Sequence, residues 1–477
     1  MKTRKLFMYG MVAFAFLTTS CEEKNSGDDN GGFSPIPVEQ HKTNIEDAGF
    51  EMLDELKAME NEPAIQTNIT LVNLLNTSDP YANRVNSRVH PSQSLAFASV
   101  YATANYEKTG MKGVMKSIMV NPADDPDTFQ EFYDELVGVY EWNSEYEEWS
   151  YTQTGSKIVL KFPSEENGTS NNASYTVSYT GYFGTNPIEE EYAGDLPQNV
   201  SAILAVDGAE ISAYLLDIVY NSNGYPTSIE TSLSMGEYKW SAKVSNTNNM
   251  AFDTELAFTN GSKILLKFAL DAAGNWSQEN IDANYSEETK YYYSYYDEET
   301  WQWIEVEVGE NDNWTYYYTD TEFDVHKVVT SGNASFQAMN LKVVGKIDAE
   351  KLGDKIKEID TLYNWETQGE LAVAEQVKVV NEYVNLSLRY ADSDDVIALV
   401  EAYPVSEEYT YENWVYNETT QQYDKIEVTE TKYSMDFRFI FADDSKVDFE
   451  TYFDDTFSDL INSLEDWGDE LEETYGK

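Results

Sequence analysis

Cysteine and histidine are scarce in this chain of 477 residues, which has one cysteine and three histidines. A single cysteine can form no disulfide within the chain, so a disulfide framework is excluded. The histidines His41, His90 and His326 are too far apart for a zinc motif, and none stands beside an identifiable nucleophile. We therefore predict no metal and no cofactor, and we expect each histidine to be an ordinary surface or strand residue.

Basic side chains are also few, with 31 Lys and Arg against 86 Asp and Glu and a net charge of −55. Nucleic-acid recognition needs basic patches, and none is visible, so we predict no nucleic-acid partner. Acidic residues 392–395 and 310–312 could hold calcium, but neither segment follows an EF-hand loop, which favours solvated turns. Among 86 acids no catalytic pair stands out by spacing. We predict that the protein is not an enzyme, with a glycoside hydrolase as the alternative.

A long apolar run is missing except at the amino terminus, where basic residues 1–5 precede 12 apolar-rich residues, 6–17. This layout is typical of a secretory signal, and it is shorter than the roughly 20 residues that span a bilayer. The sequence Leu17-Thr18-Thr19-Ser20-Cys21 follows. It resembles the lipobox of outer-membrane lipoproteins of the Bacteroidota type, although Thr18 stands where leucine is usual. The resemblance implies that residues 1–20 are removed and Cys21 is lipidated. An ordinary cut after residues 13–15 is the alternative.

The segment behind Cys21 is polar, acidic and rich in glycine over residues 22–32. Such a composition buries too little apolar surface to fold, so residues 21–37 are predicted to be a disordered acidic tether. An acidic cluster at this place resembles the signal that sends such lipoproteins to the outer face of the outer membrane. We expect a lipid-anchored protein at the cell surface, with the periplasmic face as the alternative.

The spacing of apolar residues predicts an α+β protein. Residues 38–139 have mainly helical spacing and form a predicted helical lobe. From Tyr140 the period changes to two with recurrent turn signals, which indicates an antiparallel β meander, possible as an open half-barrel. We divide it into a first β repeat, 140–275, and a second, 276–455, with an inserted helix around Leu352, Ile356 and Ile359. Residues 456–477 form a predicted amphipathic helix.

A hairpin is predicted near the carboxyl end of the second repeat. Met435, Phe437, Phe439 and Phe441 occupy alternate positions. After a turn at residues 443–445 the alternation continues through Val447, Phe449 and Thr451, which predicts the second strand.

An internal duplication is suggested by residues 155–162, which match residues 261–268 at seven of eight positions. Each copy follows a turn and is predicted to begin a strand, although hairpins of independent origin can converge on such sequences. Architecture alone over about residues 140–455 resembles the half-barrels of periplasmic lipoprotein carriers. Because a shared fold does not imply a shared function, this resemblance only adds a lipid carrier to the alternatives.

Aromatic residues are plentiful, with 36 tyrosines and 10 tryptophans. Three clusters lie near predicted hairpin tips: Trp142, Tyr146 and Trp149; Tyr295, Tyr296, Trp301 and Trp303; and Trp414, Tyr416 and Tyr423. Exposed aromatic rings can stack on sugar rings, so Trp142, Trp149, Trp301, Trp303 and Trp414 are our candidate ligand contacts. The alternative is that these rings pair across strands and stabilise the hairpins.

Together these features predict a surface-anchored lipoprotein that acts as a non-enzymatic binding or scaffold protein. Its expected partners are the membrane, through the lipid anchor, and a glycan or a surface protein. The first alternative is a periplasmic lipid carrier that uses a concave apolar sheet face, and the second is a glycoside hydrolase.

Overall fold

A computed structural model describes residues 32–78, 80, 129–184, 196–224, 226–247, 249–297, 302–308, 316–417 and 422–454, with four more residues between 460 and 466. Cys21, His90, Trp301, residues 310–312 and most of the predicted carboxyl-terminal helix lie outside this part. The side chains of Tyr296, Trp303, Tyr416 and Tyr423 also lie outside it.

The described chain has the predicted α+β architecture. Its helices are α1 Val38–Met59, α2 Pro63–Thr77, α3 Phe129–Leu136, α4 Gln278–Asn284, α5 Val325–Val328, α6 Ala349–Leu362, α7 Trp365–Tyr383 and α8 Phe449–Asp454. Pro63 stands at the first position of α2, where its missing N–H costs no hydrogen bond. Helix α6 confirms the helix predicted inside the second repeat.

The strands before the middle of the chain are β1 Gly138–Asn143, β2 Glu148–Thr152, β3 Ile158–Phe162, β4 Ala173–Tyr182, β5 Leu196–Val206, β6 Ala209–Tyr220, β7 Pro226–Met235, β8 Tyr238–Thr247, β9 Ala251–Asn260 and β10 Lys263–Gly274. The later strands are β11 Tyr285–Asp297, β12 Gln302–Val308, β13 Tyr316–Phe323, β14 Val329–Ala338, β15 Leu341–Ile347, β16 Val384–Tyr390, β17 Val396–Asn417, β18 Gln422–Ile440 and β19 Lys446–Asp448.

Within the described residues, 16 of these strands form one open sheet in the order β19-β18-β17-β16-β15-β14-β10-β9-β8-β7-β6-β5-β4-β3-β1-β2. Neighbours are antiparallel except β1 and β3, which are parallel. Strands of both predicted repeats belong to this sheet, and β10 pairs directly with β14 across the boundary we drew at residue 275. A second sheet, β12-β11-β13, is inserted between β10 and β14.

Short turns join the strands at one end of the large sheet, which we call the near end. The turns at residues 207–208, 261–262 and 391–395 lie there, and the opposite end is the far end. Asp207 and Gly208 both have positive φ, 51° and 83°, as a two-residue hairpin turn of the primed type requires. The two matching segments, 155–162 and 261–268, do lead into strands, β3 and β10.

One face of the large sheet is apolar, and helices cover it. On β6, Tyr214, Leu216 and Ile218 are buried on this face, whereas Leu215 and Val219 on the opposite face are exposed, as the period of two requires. The buried cluster that contains these residues also includes side chains from the helices α2 and α3, namely Leu71, Tyr133 and Leu136. Helix α1 covers the near end of β8, β9 and β10.

The prediction of a disordered tether over residues 21–37 is wrong for residues 32–37, which are fixed at the near end beside the start of β17. The N–H of Ser34 donates to the carbonyl of Val396 at 2.8 Å, and the N–H of Val396 donates to the carbonyl of Gly32 at 3.1 Å. One turn into α1, His41 Nδ1 shares a 2.8 Å hydrogen bond with the hydroxyl of Tyr390, which also accepts one from Asn44 Nδ2 at 2.8 Å.

Two local predictions need correction. His326 lies in the short helix α5 rather than in a strand, and both His41 and His326 are buried rather than exposed. Burial lowers the pKa of each imidazole, because the charged form loses its hydration. We also predicted a strand through Phe449, but β19 ends at Asp448 and α8 begins, which brings the ring of Tyr452 against Phe439 and Phe441.

Candidate functional site

The two tryptophans of the first aromatic cluster, Trp142 and Trp149, belong to the core. Trp142 and Trp149 face each other across the β1–β2 pair, with ring centroids 5.3 Å apart at an edge-on angle of 67°. Trp142 is only 7% exposed, and Trp149 Nε1 donates to the carbonyl of Ser78 at the end of α2 at 2.9 Å. The two tryptophans therefore pair across strands and stabilise the hairpin, which was the alternative interpretation. Because Trp142 is buried, it cannot contact a ligand. Tyr146 in the turn remains exposed.

The inserted three-stranded sheet carries an exposed pair of tyrosines. Tyr293 and Tyr295 alternate along β11 and therefore lie on one face. Their rings are nearly parallel, with centroids 6.1 Å apart at 23°, and they are 41% and 40% exposed. Val306 and Ile304 of β12 are their cross-strand partners, so these aliphatic side chains lie beside the two rings on the same face. We call Tyr293 and Tyr295 the first tyrosine pair.

The β17–β18 hairpin carries a second pair with the same geometry. Strand β16 pairs with β17 only as far as Val400, whereas β17 and β18 pair with each other out to Asn417. On this two-stranded ribbon the rings of Tyr409 and Tyr411 are 5.9 Å apart at 21°, and they are 44% and 39% exposed. We call Tyr409 and Tyr411 the second tyrosine pair.

A single carboxylate orients the second tyrosine pair. The hydroxyls of Tyr409 and Tyr411 donate to the two oxygens of Glu430 on the neighbouring strand, at 2.6 Å and 2.8 Å. These bonds lower the pKa of Glu430 and raise the pKa of both tyrosines, because they stabilise the carboxylate and the neutral phenols. At neutral pH the carboxylate is ionised and both hydroxyls remain protonated, so the rings are held in place.

The tryptophans predicted as ligand contacts in these two hairpins, Trp414 and Trp303, lie outside the two tyrosine pairs. Trp414 is 59% exposed and lies near the end of the ribbon, on the face opposite the second tyrosine pair because the two positions differ by an odd number of residues. The backbone of Trp303 pairs with Tyr296 on β11. Among the predicted tryptophans whose side chains the structure describes, Trp414 is the exposed one.

Sequence reasoning found the regions of both pairs but missed three of their four tyrosines. Only Tyr295 belongs to a predicted cluster, because those clusters are defined by tryptophans close to turns. The signal that identifies the pairs is tyrosine at alternate positions, as in Tyr293-Ser294-Tyr295 and Tyr409-Thr410-Tyr411. Alternation puts both rings on one face of the strand.

The described residues contain no group of three or more His, Cys, Asp or Glu side chains placed to hold a metal ion. In the acidic segment 392–395, Asp394 instead accepts a hydrogen bond from Arg389 at 3.1 Å. Every helix in the described ranges is too short or too polar to cross a membrane. Comparisons with protein-family models, with curated proteins and with solved structures each found no match.

Proposed function

We propose that this protein is a non-enzymatic binding protein whose two tyrosine pairs take a neutral glycan. The observation that carries the proposal is that two separate β ribbons expose the same arrangement, two nearly parallel tyrosine rings about 6 Å apart. The apolar faces of such rings stack on the C–H faces of sugars. Tyrosine also binds at a low cost in conformational entropy, because its side chain has only two rotatable bonds.

The charge of the chain supports a neutral partner rather than an anionic one. A net charge of −55 repels nucleic acid, sulfated polymers and anionic lipid surfaces alike. Carboxylates close to the rings, such as Glu430, are acceptors that suit sugar hydroxyls. A polymer that offers hydroxyl donors and no negative charge therefore fits both the rings and their surroundings.

We further propose that the protein is exported and anchored through lipid on Cys21 at the outer face of the outer membrane. The lipobox and the acidic segment behind it support this location. A periplasmic lipid carrier is the weaker alternative, because helices α1, α2 and α3 pack on the apolar face that such a carrier would offer to lipid.

Binding of the chain that begins at Cys21 to a panel of neutral polysaccharides tests the glycan proposal. If a sugar covers half of the exposed area of each ring, about 40 Å² per tyrosine, each ring contributes about 1 kcal/mol. Replacing both Tyr293 and Tyr295 by alanine should then weaken binding at that site by roughly 30-fold. The Tyr409→Ala, Tyr411→Ala double variant should behave in the same way at the second site.

Tyr146→Ala is the matched control, because Tyr146 is 66% exposed and lies on neither ribbon. It should bind as the wild type does. The proposal is wrong if the wild type binds no neutral polysaccharide, or if all three variants bind equally well. Anchoring is tested separately by incorporation of labelled fatty acid in cells, which should occur in the wild type and not in Cys21→Ala.

A further inference from the structure

We infer that the sheet separates an anchor from a ligand surface: the amino-terminal segment is fixed at the near end, and both tyrosine pairs belong to ribbons that leave the far end. The inference rests on the proposed function for what is anchored and what is bound. Its geometry rests on strand pairing alone, so it can be tested independently of any glycan.

The position of the anchor follows from the contacts of residues 32–45. Phe33 forms a parallel bridge with Val396, the first residue of β17. Ile36, Val38 and Ile45 then pack on a buried cluster with Tyr390 and Phe441, which lie at the near ends of β16 and β18. Eleven residues lie between Cys21 and Phe33, and the twelve residue-to-residue steps reach at most about 40 Å. A lipid on Cys21 therefore keeps the near end close to the bilayer.

The direction of β17 places the second tyrosine pair away from that end. The strand starts beside Phe33 and runs 22 residues without interruption. At about 3.3 Å per residue, Tyr411 lies roughly 50 Å along the strand from Val396. This distance exceeds the reach of the segment between Cys21 and Phe33, so on average the ribbon points away from the membrane.

The inserted sheet leaves the same end. Strands β10, β14, β15, β16 and β17 are neighbours and are antiparallel at every step, so β10 and β17 run in the same direction. Strand β10 therefore ends at the far end, where Gly274 leads through α4 into β11, and α5 leads back into β14. Four strand spacings separate β10 from β17, or about 19 Å at 4.8 Å each.

This placement narrows the kind of glycan. The second pair is held away from the lipid surface, and the ribbons that carry the two pairs both start at the far end, at strands about 19 Å apart. We therefore infer an extended neutral polysaccharide that approaches from outside, rather than the sugar headgroup of a lipid in the same membrane. Two linked sites on one chain raise the apparent affinity for long polymers over short ones.

The test couples the chain through the thiol of Cys21 to vesicles of phosphatidylcholine that contain a maleimide lipid and an acceptor dye. Coupling through Cys21 puts the anchor in its proposed place whether or not cells acylate it. A donor dye is attached through a ketone-bearing amino acid at Ser393, in the near-end turn, or at Thr410, between the two tyrosines of the ribbon. Both positions are exposed.

Energy transfer to the vesicle should be several-fold more efficient from position 393 than from position 410. As a matched control, a Cys21→Ala, Thr410→Cys variant is coupled through its ribbon, and transfer from position 393 should then fall. Equal transfer from both positions in the Cys21-coupled protein overturns the inference. Failure of the glycan proposal is recognised separately, as absence of polysaccharide binding in the same vesicles, and failure of the anchor proposal as absence of fatty acid on Cys21 in cells.

Discussion

The hydroxyl of Tyr390 holds helix α1 to the sheet, and we expect Tyr390→Phe to destabilise the protein by about 2 kcal/mol. The hydroxyl is buried and makes two hydrogen bonds of 2.8 Å, to His41 and Asn44 of α1. Phenylalanine fills the same space but leaves two α1 groups without this partner. Each buried polar group that loses its bond costs about 1 kcal/mol or more, which gives the sum.

Urea unfolding followed by tryptophan fluorescence measures this loss. With a slope near 3 kcal/mol/M, a loss of about 2 kcal/mol lowers the midpoint by roughly 0.7 M. Hydrogen exchange should also become faster in residues 38–59, because α1 loses a contact that the rest of the sheet keeps. Tyr146→Phe serves as the control and should leave the midpoint in place. An unchanged midpoint in Tyr390→Phe would refute the reasoning, since water would then have to satisfy both α1 groups.

Three further outcomes follow from the same structure. Burial lowers the pKa of His41, so the unfolded chain binds a proton at this residue more tightly than the folded chain does. The stability that follows is complete above the ordinary histidine pKa near 6.5, and it is lost as the pH falls below that value. Between pH 7 and 5 the unfolding free energy of His41→Gln should therefore decline less steeply than that of the wild type. In urea unfolding, Trp142→Ala should cost about 3–5 kcal/mol of stability because Trp142 is buried, whereas Trp414→Ala should change stability by less than about 0.5 kcal/mol because Trp414 is exposed. Similar losses in the two variants would contradict this difference in burial. Gly208→Ala should cost about 1 kcal/mol of stability, because its φ of 83° strains any residue with a Cβ, although no atom would contact that Cβ. An unchanged unfolding free energy would show that the turn can change its conformation.

The elements that could be predicted from sequence are those whose information is local. Helix α6 was predicted from Leu352, Ile356 and Ile359 because their spacing matches the helical period. The β18 strand was predicted in the same way from alternating Met435, Phe437 and Phe439. The four-residue helix that contains His326 was missed, because so short an element has no period of its own and depends on its neighbours.

The candidate site could be predicted only in part. The clusters around Trp142 and Trp414 look alike in sequence, since both have aromatic residues on either side of a polar turn. In the structure α2 ends beside the first hairpin and contacts Trp149 through Ser78, whereas the second extends beyond β16. Alternation shows that two side chains share a face, but it does not show what covers that face.

The sequence by itself determined the α+β class and the change from helices to a long meander with recurrent turns. These depend on periods and turn residues that act over a few positions. Only the tertiary structure decided that β10 and β14 join both halves into one sheet. It also decided that the rings of Tyr293, Tyr295, Tyr409 and Tyr411 are exposed, and that Phe33 lies at the end of the large sheet opposite to the one from which their strands extend. Those facts depend on which distant strands pair and how far each continues past its neighbour, and no local pattern encodes either.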